Sequence, residues 1–192
     1  MSLFALSTAW RVILLMTLVT FWSSVTAAQS LEFGPPYTVN GSFENPFGIA
    51  VNNAQGHLLV SDTPNRKVHW TELTSLSGTT PTFRSFGYVA DPAQPEALVD
   101  PQGIAADSNG HVYVVDVRRN QVNLYTWNPV ASDYELDINF ASTTRNNVDG
   151  VPIESPRDVA VGPDGKVYLL DSGRKRVLRA DGPADTSWEV FI

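Results

Sequence analysis

Short runs of hydrophobic residues alternate with turn sequences along most of the chain, and one arrangement occurs three times. Each copy opens with a proline and a small apolar run, passes through a turn, and ends in a β-rich run that closes on aspartate. The copies are PFGIAVNNAQGHLLVSD (46–62), PQGIAADSNGHVYVVD (101–116) and PRDVAVGPDGKVYLLD (156–171), with their prolines 55 residues apart. Self-similarity at a fixed period predicts one structural unit that is used three times.

Each unit contains four predicted strands. In the first strand of the first copy, alternation places Ile49 and Val51 on one face and Gly48 and Ala50 on the other. Large side chains on one face only are typical of a strand whose other face packs closely against a neighbouring sheet. The second run is apolar on both faces, which indicates a sheet covered on both sides. The third runs are VHWTEL, VNLYTW and VLRA, and the fourth are TFRSFG, YELDINFAS and SWEVFI.

These elements predict an all-β protein of three four-stranded antiparallel sheets, with no helix of any length after residue 30. Sheets with two apolar faces have to stack, and radial stacking gives a β-propeller of four to eight blades. The predicted blades span about 44–98, 99–153 and 154–192. Three blades are too few for a ring, which leaves three explanations open: a truncated product of a longer gene, two copies that complete a six-bladed ring, or an open array with shielded end faces.

The N-terminal segment predicts export. Residues 1–28 contain one basic residue (Arg11), an apolar run over residues 12–22, and small residues up to Ala28. This order is typical of a cleaved signal peptide, since a bilayer span needs about 20 apolar residues. An uncleaved anchor is the alternative. We therefore expect a secreted, extracellular or periplasmic protein without an integral membrane segment after cleavage, in which residues 29–43 carry a possible ring-closing strand.

The composition argues against several classes of partner and active site. The 192 residues carry a formal charge of −7, which argues against a nucleic-acid partner because phosphate binding needs clustered Lys and Arg. The absence of cysteine excludes disulfides, thiolate metal sites and cysteine nucleophiles. No Gly-x-Ser-x-Gly motif, phosphate-binding loop or catalytic triad context is present. The sequence therefore predicts no catalytic residue, no metal and no cofactor.

The stretch PQGIAADSNGHVYVVDVRRNQVNLY (101–125) resembles the NHL repeat. That repeat has a Pro-x-Gly-Ile-Ala-Val strand, a glycine turn, an apolar strand ending in Ala-Asp, an Asn-Arg pair and a third strand. The first copy carries the pair as Asn65-Arg66, whereas the third copy departs from the pattern with Asp158 in place of the glycine. The resemblance implies blades of a six-bladed propeller, and it does not assign an activity.

Some propeller enzymes are similar to this family, which supplies an alternative function. The lyase that completes peptide amidation holds zinc through histidines, and gluconolactonase-like propellers bind a divalent cation through acidic and amide side chains. Here Phe47, Gln102 and Arg157 follow the opening prolines, while His57 and His111 follow turn glycines and are predicted to face solvent. The alternative is therefore a Ca- or Zn-dependent hydrolase or lyase with part of its site on blades outside this chain.

Two sets of repeated residues are the candidate sites. The aspartate that ends each second strand is predicted to be structural and to accept hydrogen bonds from N–H groups of the next turn. The loop after it carries basic side chains on one face of the array, which predicts a modestly basic binding rim. Together they favour a secreted, non-catalytic scaffold for a protein, peptide or glycan partner, with self-association as a further expectation. The aspartates are Asp62, Asp116 and Asp171, and the rim residues are Arg66, Lys67, Arg118, Arg119, Arg174 and Lys175.

Overall fold

The computed structural model describes residues 43–76, 81–94, 97–141, 147–184 and 187–192. They form three four-stranded antiparallel sheets, and in each sheet the strands lie side by side in chain order. The predicted all-β class with three blade-like sheets is confirmed. The predicted signal peptide and all of the segment 29–43 except Phe43 lie outside the described residues.

The strands follow the predicted runs, although each fourth strand is shorter than its run. Blade 1 contains β1 (Pro46–Asn52), β2 (His57–Asp62), β3 (Lys67–Glu72) and β4 (Arg84–Phe86). Blade 2 contains β5 (Pro101–Ala106), β6 (Val112–Asp116), β7 (Gln121–Asn128) and β8 (Asp133–Leu136). A small hairpin of β9 (Asn147–Val148) and β10 (Val151–Pro152) precedes blade 3, which contains β11 (Pro156–Val161), β12 (Val167–Asp171), β13 (Arg176–Ala180) and β14 (Glu189–Val190).

Short helical turns lie between some strands, so the prediction of no helix was wrong in detail. The longest α-helical segment in the described part is α1 (Ile138–Ala141), and 3-10 turns cover Leu73–Leu76 and Ser172–Arg174. The Phe140 N–H donates to Asp137 Oδ1 at 3.1 Å, a side-chain cap of the kind that starts a helix without any hydrophobic periodicity. No helix in the described ranges is long and apolar enough to cross a membrane.

The register is the same in all three blades. In each, the opening proline of the first strand pairs with the aspartate that ends the second strand, as Pro46 does with Asp62. Each first strand then has a register irregularity just after the proline, which bends the strand. Because the blades repeat even this irregularity, they are copies of one unit in structure as well as in sequence.

The blades stack through their first and second strands, and glycine permits the approach. A Cβ atom placed on Gly48 would lie 2.6 Å from the Gln102 carbonyl oxygen, and one on Gly103 would lie 2.5 Å from Asp158 Cα. Neither distance is compatible with a side chain, so the predicted small face of the first strand is confirmed. Two buried clusters follow, one between blades 1 and 2 around Leu59 and the other between blades 2 and 3 around Leu169.

Candidate functional site

The three repeated aspartates are fully buried, and each ties the segment that enters a blade to the end of its second strand. Asp62 accepts the backbone N–H groups of Glu44 and Asn45 at 3.0 and 3.1 Å. The equivalent bonds run from Val99 and Asp100 to Asp116 (2.8 and 3.1 Å) and from Glu154 to Asp171 (2.7 Å). Each carboxylate therefore fixes where the first strand of its blade begins.

Most of the backbone donors differ from those that the sequence predicts, and one agrees. We expected N–H groups of the following turn, but the backbone donors named above lie 16 to 18 residues before the aspartate. Asp116 also accepts the turn N–H of Arg119, at 3.3 Å. The difference arises because the first strand pairs antiparallel to the second, which brings the chain before the proline alongside the aspartate.

The surroundings shift the pKa values of two of these carboxyl groups in opposite directions. Burial alone would raise the pKa of Asp62, but hydrogen bonds from the Asn65 side chain, from two backbone N–H groups and from His69 outweigh burial and hold that pKa below its usual value. Burial raises the pKa of Asp116, and its hydrogen bonds together with the nearby Arg119 do not cancel that effect. Blade 1 thus holds its carboxylate charged more firmly than blade 2 does.

Of the three histidines in the described ranges, His57 and His69 are buried and His111 is partly exposed. His57 is buried, with Nδ1 2.9 Å from the Tyr134 hydroxyl and its ring against Trp70 and Trp127, so the prediction that it faces solvent was wrong. Burial lowers its pKa, although Glu72 opposes the shift. In the part of the chain that the structure covers, no three His, Asp or Glu side chains come close enough together to hold a metal ion.

The rim consists of three equivalent loops at one end of the sheets. Each follows the second strand of its blade and contains a residue with a left-handed backbone, at Arg66 (φ 53°), Asn120 (φ 53°) and Lys175 (φ 56°). The blades stack with their first strands side by side in the same sense, which places the three loops at the same end. The predicted rim cations lie in these loops or directly after them. Their distance along the chain from the preceding aspartate differs between the blades.

Half of the rim cations are already engaged. The Arg66 guanidinium lies 5.1 Å from the centre of the Tyr88 ring, Arg119 donates to the Pro92 carbonyl at 2.8 Å, and Arg174 forms a 3.0 Å ion pair with Glu154. The remaining three, Lys67, Arg118 and Lys175, form no ion pair with any residue that the structure describes.

A groove of about 380 Å³ runs along the first strands and was not predicted as a site. Arg157 Nη1 donates to Gln102 Oε1 at 3.0 Å, and Gln102 Nε2 donates to Asp100 Oδ1 at 3.1 Å, which links blades 2 and 3 by a polar chain. Because the residues after the opening prolines are not zinc ligands, the sequence pattern predicted no site at these positions. The groove is lined by Phe47, Gly48, Ile49, Gly103, Ile104, Arg157 and Asp158.

Comparison with known proteins agrees with this architecture. Residues 98–122 match the family model of the NHL repeat. Similar solved structures include a gluconolactonase from Xanthomonas campestris (TM-score 0.53, 16% identity, 78% of this chain and 48% of that one) and a putative gluconolactonase (0.52, 14%, 79% and 49%). A third is an inactive H270A variant of virginiamycin B lyase from Staphylococcus aureus with quinupristin (0.50, 13%, 76% and 40%).

The chain spans less than half the length of each of these structures. At such low identity the likeness concerns the fold, which is that of the β-propeller, and the predicted resemblance is confirmed at the level of the repeat. The chain carries an NHL repeat at residues 98–122 within an array of three β-propeller blades.

Proposed function

We propose that this protein is a secreted, non-catalytic binding scaffold whose rim docks an anionic group of a protein, peptide or carbohydrate partner. The observation that carries the proposal is the placement of Arg118 and Lys175 in equivalent loops, and of Lys67 directly after the corresponding loop of blade 1, at one end of the array. They form no ion pair with the residues that the structure describes. On a chain of net charge −7, these three cations at one edge offer a place at which an anionic group can bind.

The rim is suited to recognition because its loops are held by the blades. Each follows a buried aspartate, and the backbone bond from Arg66 N–H to the Thr63 carbonyl (3.0 Å) recurs as Asn120 to Val117 (3.2 Å) and Lys175 to Ser172 (3.1 Å). Turns fixed in this way present their side chains with little ordering cost on binding. Solvent-exposed charge pairs each contribute about 0.2–1 kcal/mol, so the rim alone provides modest and salt-dependent affinity.

The test compares two triple variants with the same change in charge. Lys67→Ala, Arg118→Ala and Lys175→Ala together remove the unengaged rim cations, while Arg84→Ala, Lys166→Ala and Arg179→Ala remove three cations from other positions. Binding to heparin and to an acidic peptide is measured by titration calorimetry at several salt concentrations. We expect the rim variant alone to lose roughly 3- to 100-fold in affinity and part of its salt dependence. Equal affinities, or no binding of either probe by the native protein, would refute the proposal.

Export is tested separately. Secretion of the full chain from an expression host, followed by N-terminal sequencing, should give a mature protein that begins after Ala27 or Ala28. Retention of Arg11 in the exported protein would favour the uncleaved anchor.

A metal-dependent hydrolase or lyase is the second candidate, favoured by the groove and its polar chain. The enzymes of similar fold named above are consistent with it, although they share only 13–16% identity with this chain. The described side chains do not fit a metal by themselves, because the guanidinium of Arg157 lies among the groove's polar atoms and Asp158 Oδ1 accepts the N–H of Val159 at 2.9 Å. Stoichiometric Ca or Zn in the purified protein, with lactone hydrolysis that Arg157→Ala changes, would favour this candidate over the scaffold.

A further inference from the structure

The outward face of blade 1, which points away from blade 2, is apolar, and the residues that the structure describes leave it exposed. Ile49 is 68% exposed and Val51 is 44% exposed, and Phe47 stands beside them at 57%. The residue equivalent to Ile49 in blade 2 is Ile104, which is 6% exposed, and in blade 3 it is Val159, which is 4% exposed. The same position is therefore buried wherever another blade packs against it.

The outward face of blade 3, which points away from blade 2, is also apolar and partly exposed. Leu170 is 43% exposed, and a shallow pocket of about 140 Å³ lies beside it between Ala160, Tyr168 and Val177. The equivalent face of blade 2, formed by Ala105, Tyr113, Val115 and Val122, packs into the cluster between blades 2 and 3. In blades 1 and 2 this face packs against the next blade, whereas in blade 3 the same face is exposed.

Both interfaces within the chain join the same pair of faces: the Ala50 face of one blade receives the Ile49 face of the next. We propose that a second copy of this chain continues the series, with its blade 1 packed on the outward face of blade 3. Two such contacts, each head-to-tail, would close a ring of six blades around a twofold axis. The gluconolactonase-like structures that the chain resembles are about twice as long as the part it matches, which is the length that two copies supply.

One residue distinguishes the new contact from the two within the chain. Asp158 occupies the position of Gly48 and Gly103, at which a Cβ atom would lie within 2.6 Å of the next blade's backbone. The first strands at the junction between copies are therefore held further apart than those within a chain. Asp158 weakens the contact without removing the apolar match of the second strands, so the dimer should dissociate reversibly.

The test follows association of the full-length protein by sedimentation equilibrium, where a monomer of 21.0 kDa is distinguished from a particle of twice that mass. We expect the native protein to dimerise reversibly at micromolar concentrations. Ile49→Glu and Leu170→Glu should each weaken dimerisation by on the order of 100-fold, because each buries an unpaired charge. Val130→Glu is the matched control, since Val130 is 94% exposed in the loop between β7 and β8 and should have no effect.

Two further measurements separate this geometry from other associations. A mixture of Ile49→Glu and Leu170→Glu copies retains one intact contact, between blade 3 of the first variant and blade 1 of the second, so it should associate more strongly than either variant alone. Asp158→Gly should tighten the native dimer about tenfold or more, because it removes the residue that holds the first strands apart. A native protein that stays monomeric, or variants of which only one weakens association, would overturn the proposal; so would a mixture without rescue.

Discussion

Replacing Gly103 with alanine tests how tightly the first strands of blades 2 and 3 pack. The new Cβ atom would lie 2.5 Å from Asp158 Cα and 2.8 Å from the Arg157 carbonyl oxygen. Ordinary carbon contacts are about 3.5–4.0 Å, so the strands would have to separate by roughly 1 Å. These two obstacles are backbone atoms, which cannot rotate out of the way, whereas the third close atom, Asp158 Oδ1 at 2.6 Å, belongs to a side chain that can move.

The expected cost follows from two opposing contributions. Overpacking of a well-packed interface costs about 1–3 kcal/mol. Alanine also lowers the conformational entropy of the unfolded chain, which stabilises the folded protein by about 0.4–1 kcal/mol. We therefore expect a net destabilisation of about 1–2 kcal/mol, equivalent to a fall in Tm of roughly 2–8 °C for a chain of this length. Urea denaturation followed by circular dichroism measures the change in the free energy of unfolding.

Gly162→Ala provides the matched control. Gly162 lies directly after β11, and neither it nor Gly103 has a positive φ. Its nearest obstacle is Asp164 Oδ1 at 2.6 Å, the end of an exposed side chain that can move. The control should be as stable as the native protein or slightly more stable. If Gly103→Ala is no less stable than Gly162→Ala, the close approach of the blades is not real.

Two further predictions concern buried polar groups. Because the pKa of Asp62 is lowered, the stability it contributes is present above about pH 5 and is lost as the pH falls through the folded-state pKa. Asp62→Asn should therefore flatten the acid limb of a plot of urea midpoint against pH, whereas Asp116→Asn should not, and similar curves for both variants would contradict this. Trp70 Nε1 donates to Asp133 Oδ1 at 3.1 Å, so a double-mutant cycle with Trp70→Phe and Asp133→Ala should yield a coupling energy of about 1 kcal/mol, and additive effects would exclude the bond.

Most of the fold could be predicted from the sequence because the repeat consists of local features. Turn glycines, alternating runs and a terminal aspartate recur in each copy, and the structure forms a four-stranded sheet from each. The alternation of Gly48 and Ala50 with larger residues also predicted that the small face of the first strand packs closely against a neighbouring sheet. These features act over a few residues, so a sequence shows them directly.

The errors concern contacts between distant segments. The backbone donors to Asp62 lie 17 and 18 residues earlier in the chain, a partnership visible only once the strand order is known. His57 begins a strand, as predicted, but Trp127 and Tyr134 of blade 2 cover it. The link between Gln102 and Arg157 likewise spans 55 residues and two blades. Such contacts depend on how blades stack, which the pattern within one blade does not specify.

The rim and the end faces depend on the fold in different ways, which makes the two proposals separable. Each rim loop is held by bonds within one chain, through an aspartate bonded to its blade's entry segment and, for blades 1 and 2, through a bond to the segment that opens the next blade, so rim binding requires no ring. Association instead depends on Ile49 and Leu170, on faces that the rim does not include. The triple rim variant should therefore dimerise like the native protein, and Leu170→Glu should bind an anionic probe with unchanged affinity per chain. If the two properties are lost together, ring closure positions the loops, and the bonds within one chain do not suffice to hold them.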